Sequence, residues 1–424
     1  MSKYVFPEGF LWGAAASAYQ TEGNNIHNDW HDAEQKEQQK PPGKRRLAEC
    51  CGDACDHWHR YEEDYDLARE MGIQMHRLSI EWSRIFPAEN EVDHSAIAQY
   101  RAMMGALHSR GIKVMLCLHH FTIPRWVLAK GGFEKRRVFM THFERYLQTI
   151  VPAVGDLVDY WLPINEPNVV PLAGFFGKLF PPFKANFLAF VKVYRTFFAM
   201  HARSYRVIKA HFPEAPVGVA FAFMHFQPYN PANILHRWGA AFANRAANLC
   251  FFEAVKTGRI GFPLGLGDTI PELRGAMDFV GLNYYTTLYM KGLRPIEKKP
   301  GDQATDMGWI LYPQGIYEIL QYLARSIDLP IIVTENGVAT TDENFRIQYL
   351  EAHLREVHRA MEEGVPVKGY MCWSLTDNFE WQHGYKMRFG LIHVDFATQK
   401  RTIKAGGSWY GRVIRENRLL VSDV

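Results

Sequence analysis

The sequence predicts an α/β chain of the (β/α)8 barrel class, on three observations. Short β-rich apolar runs occur eight times along 424 residues. Each is followed by a longer stretch of helical periodicity or polar loop. No linker and no repeat of roughly 20–50 residues divides the chain, so the alternation reads as one barrel, a single catalytic domain over 1–424, rather than an open sheet.

In chain order the runs are 10–15, 75–80, 114–118, 160–164, 217–223, 279–282, 331–334 and 369–373. Barrels carry their reactive side chains at the C-terminal ends of strands. Gln20 and Glu22 follow the first run, and Arg77 lies in the second. His119 and His120 follow the third, and Asn165 and Glu166 the fourth. Asn283 and Tyr285 follow the sixth, Glu335 the seventh, and Trp373 ends the eighth. Between the runs, Ile347, Leu350, Leu354, Val357 and Met361 recur at steps of three and four, as do Phe187, Phe190, Tyr194 and Phe197; each set predicts one buried helix face. The polar stretch 34–46 reads as an exposed loop, and 293–306 as a second loop.

The formal net charge is +3 with 22% charged residues. That balance favours neither nucleic acid nor a membrane as partner. No apolar run reaches membrane-spanning length. The N-terminus lacks the basic-then-apolar pattern of a secretion signal, so a cytoplasmic protein with reduced thiols at its six cysteines is expected. The sequence Cys51-Gly-Asp-Ala-Cys55-Asp-His57-Trp-His59 offers zinc-ligand types, but the spacing matches no standard site. Neither a metal nor a cofactor is expected. Oligomeric state stays open.

Several motifs sit at the strand ends in order. They are Phe10-Leu-Trp-Gly-Ala14, Gln20-Thr-Glu22-Gly23, His76-Arg77-Leu-Ser-Ile-Glu-Trp82, Asn165-Glu166-Pro167, Gly281-Leu-Asn283-Tyr-Tyr285, Thr334-Glu335-Asn336-Gly337 and Trp373-Ser-Leu-Thr-Asp-Asn-Phe-Glu380-Trp381. On these the chain resembles the family-1 glycoside hydrolases, the β-glucosidase and β-galactosidase family, from Phe6 to about Tyr410. The resemblance implies retaining hydrolysis of a small β-glycoside or oligosaccharide with a terminal glucosyl, galactosyl or fucosyl residue. Such chemistry needs two carboxyl groups about 5–5.5 Å apart. Glu335 matches the nucleophile and Glu166 the acid/base. Arg77 and Tyr285 match the groups that hold the nucleophile, and Asn165 the donor to the sugar 2-OH.

The resemblance also places substrate contacts. Gln20, His120, Glu380 and Trp381 match hydroxyl partners, and Trp373 the sugar platform. Asn283 joins the substrate-binding set. Phe389 closes the pocket near the sugar C6, and Trp309 resembles an aglycone platform. His119 reads as structural. Phe121 stands where the family usually has Trp, which removes a donor near the 3-OH. Phe175, Phe176 and Phe180 line the mouth or anchor the loop, the second being the commoner fate. Glu380 is taken as anionic, which disfavours the alternative of a 6-phospho-β-glycosidase. A sugar-binding barrel without catalysis is the other alternative, and the presence of both glutamates, Arg77 and Tyr285 argues against it.

Overall fold

In the computed structural model, which describes residues 4–419, all eight strands are present. They are β1 (Leu11–Ala15), β2 (Met75–Ser79), β3 (Lys113–Cys117), β4 (Tyr160–Leu162), β5 (Gly218–Ala222), β6 (Phe279–Asn283), β7 (Ile331–Asn336) and β8 (Val367–Trp373). They pair in parallel in the order β4-β3-β2-β1-β8-β7-β6-β5. Two parallel bridges, Trp161 with Val217 and Asn165 with Ala220, join β4 to β5 and close the ring. Around it run α1 (His57–Glu70), α2 (His94–Ser109), α3 (Arg136–Val154), α4 (Phe187–His211), α5 (Cys250–Thr257), α6 (Gln314–Ser326), α7 (Glu343–Glu362) and α8 (Ala405–Glu416). The fold is a (β/α)8 barrel.

Both faces of each strand are covered, which is why the strands read as apolar runs rather than as alternating patterns. Residues facing outward, such as Val114, Trp161, Val333 and Tyr370, pack under the helices. Those facing inward form a second apolar cluster that includes Met75, Met115, Leu162, Phe279, Ile332 and Met371. Gly13 makes room for this filling: a Cβ there would lie 2.1 Å from Met371 Sδ and 2.4 Å from the Met75 carbonyl oxygen. Side chains alternate along a strand, so the next inward position lies two residues on. Two residues past Met75 is Arg77, two past Met371 is Trp373, and four past Phe279 is Asn283. The lumen thus changes from a packed apolar floor to a polar, aromatic ceiling within one step along the strands.

β7 departs from this rule. Strict alternation from Ile332 would turn Glu335 toward the helices. The register slips by one residue between Val333 and Glu335 against β6, and again between Val333 and Asn336 against β8. Such a bulge re-aims the side chain beyond it, and Glu335 reaches into the lumen.

Three local readings are corrected. The stretch 34–46 is helical as far as Gln38, because Asn28 caps the helix Asp29–Gln38 by accepting from His31 N. Glu34 and Glu37 of that helix are buried. Within 293–306, Arg294–Ile296 pairs antiparallel with Thr287–Lys291 across a turn at Gly292. In the Phe187 helix face, Phe190, Tyr194 and Phe197 are buried as expected, but Phe187 is 44% exposed.

The catalytic-face loops are tied by Arg346 of α7. Its side chain is buried and donates to the carbonyls of Val338 (2.8 Å), Thr340 (2.6 Å), Arg388 (2.9 Å) and Phe389 (2.9 Å). One guanidinium therefore joins the loop after β7 to the loop after β8. Arg346→Met keeps much of the volume but orphans the carbonyls of Val338, Thr340 and Phe389, while that of Arg388 still accepts from Thr340 N. At about 1–3 kcal/mol for each orphaned group, equilibrium unfolding in denaturant should show a loss of at least about 3 kcal/mol. A variant as stable as the parent would show that the loops do not depend on this side chain.

Candidate active site

A cavity of about 410 Å³ opens at the C-terminal end of the barrel. Thirteen of the fourteen residues selected from the sequence line it: Gln20, His120, Phe121, Asn165, Glu166, Asn283, Tyr285, Trp309, Glu335, Trp373, Glu380, Trp381 and Phe389. The fourteenth, Arg77, is fully buried and reaches the cavity through its partners.

Glu335 is held on both carboxylate oxygens. Arg77 Nη1 donates to Oε1, and the Tyr285 hydroxyl donates to Oε2. Arg77 Nη2 also donates to Asn165 Oδ1 at 2.5 Å. Burial works against the charge on Arg77, but Glu335, Cys117 and Glu166 together outweigh it and raise the guanidinium pKa. The Tyr285 phenol is pushed well up by burial and by Glu335, so it stays a neutral donor.

Glu166 sits in the opposite environment. Among the described residues its one direct side-chain partner is neutral: Asn283 Nδ2 donates to Oε1 at 2.9 Å. Burial and then the nearby Glu335 push its pKa up to about 8. Two carboxyls lining one cavity are thereby split, one paired with a cation and one kept protonated at neutral pH. The Glu166 backbone has φ +50° and its N–H donates to Ala220 O at 2.7 Å. A non-glycine residue in this region carries strain, which is common at functional sites. Phe121 (φ +73°) and Trp381 (φ +47°), both on the cavity wall, share it.

The network fixes the orientation of Asn165. Its Oδ1 accepts from Arg77 and from Asn283 (3.2 Å), and its Nδ2 donates to His120 Nε2 at 3.0 Å. One amide hydrogen of Asn165 remains unused by these contacts. His120 is neutral, since burial and then Arg77 push its pKa well below the usual range. Accepting on Nε2 puts its proton on Nδ1. Asn283 differs from expectation. Both its amide hydrogens are engaged, with Asn165 and Glu166, and its Oδ1 accepts from Thr334 Oγ1 at 2.7 Å. In this arrangement it positions the Glu166 carboxyl and has no free donor for a ligand.

Glu380 is also corrected. Burial, and then Glu335, raise its carboxyl to about 8, with Gln20 pulling the other way. At neutral pH it is protonated, not anionic. Gln20 Nε2 donates to Phe379 O (2.8 Å) and reaches Glu380 Oε2 (3.3 Å), while its Oε1 accepts from Ser17. Trp381 stacks on Tyr19 at 5.7 Å, and His120 lies parallel to it at 6.1 Å. Phe121 packs on Trp381 at 5.0 Å and on Phe180 at 5.6 Å. Trp309, Tyr285 and Phe389 form the facing aromatic wall.

His119 packs between Phe133 and Phe197, off the cavity. Phe180 lines the cavity, Phe175 is buried behind it, and Phe176 is 49% exposed. Leu179, Met224 and Met307 also line the mouth, and sequence reading missed them because single apolar loop residues carry no motif. In the cysteine-histidine stretch, Cys51 donates to Tyr19 O, Cys55 to Asp377 O, His57 pairs with Asp64 and His59 with Asp56. All six cysteines are free.

Comparison with known proteins gives a consistent result. Residues 2–419 match the family model described as glycosyl hydrolase family 1. The chain is 33% identical over 455 residues to beta-glucosidase A of Acetivibrio thermocellus, covering 98% of this chain and 100% of that protein. The solved beta-glycosidase from Pyrococcus horikoshii superposes with a TM-score of 0.90 at 34% identity, over 99% of this chain and 97% of that one. The beta-glucosidase from Thermotoga maritima in complex with glucoimidazole gives 0.91 at 30% identity, over 98% and 100%. With both glutamates, their partners and the barrel in place, the chain is a glycoside hydrolase and belongs to glycosyl hydrolase family 1.

Proposed function

We propose that this protein, acting as a single catalytic domain, is a retaining β-glycosidase that removes terminal glucosyl, galactosyl or fucosyl residues by double displacement. The observation that carries the reading is the opposed pair: Glu335 bound by Arg77 and Tyr285, and Glu166 held up to about 8 in the same cavity. In the first step a Glu335 carboxylate oxygen attacks the anomeric carbon. The bond to the aglycone oxygen breaks, and that oxygen takes the Glu166 proton. The sugar is then esterified to Glu335, whose negative charge has gone. One of the influences raising the Glu166 pKa is removed with it, so Glu166 is better suited to stay ionised and act as base. It takes a proton from water, the water oxygen attacks the anomeric carbon, and Glu335 leaves as carboxylate. Two inversions give retention.

The unused amide hydrogen of Asn165 suits a sugar 2-OH, where hydrogen bonds strengthen in the transition state. Protonated Glu380 has a hydroxyl to donate as well as a carbonyl oxygen to accept, which fits hydroxyls on the outer edge of a sugar. Trp373 supplies an aromatic face and Trp381 an indole N–H donor. Among the described residues no Lys or Arg lines the cavity, and Lys386 is exposed outside it. A sugar 6-phosphate would bring a dianion near Glu335 with no counter-charge. The case against a phosphorylated glycone therefore rests on missing cations, not on an anionic Glu380. Assayed side by side, an aryl β-glucoside should show a higher kcat/KM than its 6-phosphate, and the reverse order would return the phospho-glycosidase reading.

Azide tests the assignment of roles. Removing the Glu166 carboxylate removes proton transfer, worth about 10²–10⁴-fold. Glu166→Ala should lose most activity on alkyl glycosides. It should still form the glycosyl-enzyme from a dinitrophenyl glycoside, whose leaving group needs no proton. Azide should then attack that intermediate and yield the β-azide. In Glu335→Ala, azide should attack the substrate from the opposite face and yield the α-azide. The opposite pairing of products would exchange the two roles.

A further inference from the structure

The whole-chain charge of +3 hides a strong local asymmetry. Residues 167–267 contain eleven Lys and Arg but only two acidic residues, Glu214 and Glu253. Six of the eleven are paired, Arg245 with Glu253 and Lys184, Arg195, Arg203, Arg206 and Lys209 with acids outside the span. The excess in space therefore rests on Lys178, Lys192, Arg237, Lys256 and Arg259, which have no acidic partner among the described residues. Nine of the fourteen large apolar side chains exposed among the described residues lie between Phe176 and Leu266. Single exposed apolar residues are ordinary, but a concentration of them is not.

These residues form a continuous rim beside the cavity mouth. Gly177, Leu179 and Phe180 line the cavity. Next to them, Phe176 packs on Phe187 at the start of α4 (6.2 Å), where Leu188 is 79% exposed. Arg195 of α4 pairs with Asp268 at 2.9 Å, bringing in the 262–268 loop. Phe262 of that loop contacts Phe242, which stacks on Trp238 at 5.6 Å. The helix Ile234–Asn244 exposes Ile234 (70%), Leu235 (65%) and Trp238 (56%), while its other side, at Gly239, lies directly against Gly292. Set among these side chains, Lys178, Lys192 and Arg237 are exposed and have no acidic partner among the described residues.

We propose that this rim docks on an anionic lipid bilayer, with the cavity mouth at the edge of the contact. Trp, Phe and Leu side chains insert at the level of the headgroups, and the long Lys and Arg chains reach anionic groups around them. The charge pattern favours lipid over a second copy of the chain. A symmetric dimer through this rim would set its unpaired cations against one another, whereas anionic lipid neutralises all of them. The proposal is independent of the roles of Glu166 and Glu335.

The test is cosedimentation of the full chain with vesicles of equimolar phosphatidylglycerol and phosphatidylcholine, compared with phosphatidylcholine alone. Binding should be at least about tenfold tighter to the anionic vesicles and should weaken as salt rises. Each cation contributes roughly fivefold to such binding, so Lys178→Glu with Arg237→Glu should lower affinity by more than about tenfold. Leu235→Ser with Trp238→Ser should also weaken it. None of the four lines the cavity, so turnover of a soluble aryl glycoside and the thermal midpoint should match the parent in both variants. No cosedimentation, equal binding to both vesicle types, or variants that bind like the parent would overturn the proposal. So would a dimer in sedimentation velocity that both variants abolish, because the rim would then belong to a second copy.

Discussion

The site depends on one buried ion pair, Arg77 with Glu335. Arg77 is fully buried and Glu335 nearly so, and burying two charges is a poor route to stability. What the pair provides is order. The guanidinium fixes Glu335 on one side and Asn165 on the other. Asn165 in turn holds His120, and Asn283 links Asn165 to Glu166. The same carboxylate charge acts through space on Glu166, Glu380 and Tyr285, raising the pKa of each after burial. One charge thus adds to burial in keeping the other acidic groups around the cavity protonated.

The backbone delivers these groups at some cost. The bulge in β7 breaks the ladder to turn Glu335 inward. Glu166, Phe121 and Trp381 each take a left-handed conformation, worth about 1–2 kcal/mol apiece for a residue with a Cβ. The stable parts of the fold offset this. They are the methionine-rich floor of the lumen, the apolar layer under the helices and the Arg346 tie between the loops after β7 and β8. Rigidity below and strain above is the arrangement expected where geometry matters more than local stability.

Much of this was legible in the sequence. All eight strands appear because strands covered on both faces leave compact apolar runs, and the motifs fall where those runs end. Part of the cavity set follows the same ordering, while Phe121, Trp309, Glu380, Trp381 and Phe389 come from the resemblance to family 1. Less visible were effects that depend on three dimensions. Periodicity would turn Glu335 outward, and only the bulge corrects it. The letters Glu380 suggest an anion, but burial beside Glu335 makes it neutral. Asn283 reads as a ligand contact until its hydrogens are counted within the protein. Phe187 fits a buried helix face by spacing, yet at the first turn of α4 it is 44% exposed beside Phe176. The charge of that rim was diluted in the whole-chain sum.

The central claim is that the charge on Glu335 helps keep the proton on Glu166. It is tested most directly by following the Glu166 carboxyl through a pH titration by ¹³C NMR, in the parent and in Glu335→Gln. In the parent the midpoint should lie near the raised value of about 8. With Glu335 neutral, the repulsion is gone and Arg77 is left without its counter-charge, so the midpoint should move down. A midpoint that stays where it was, or rises, would contradict the account.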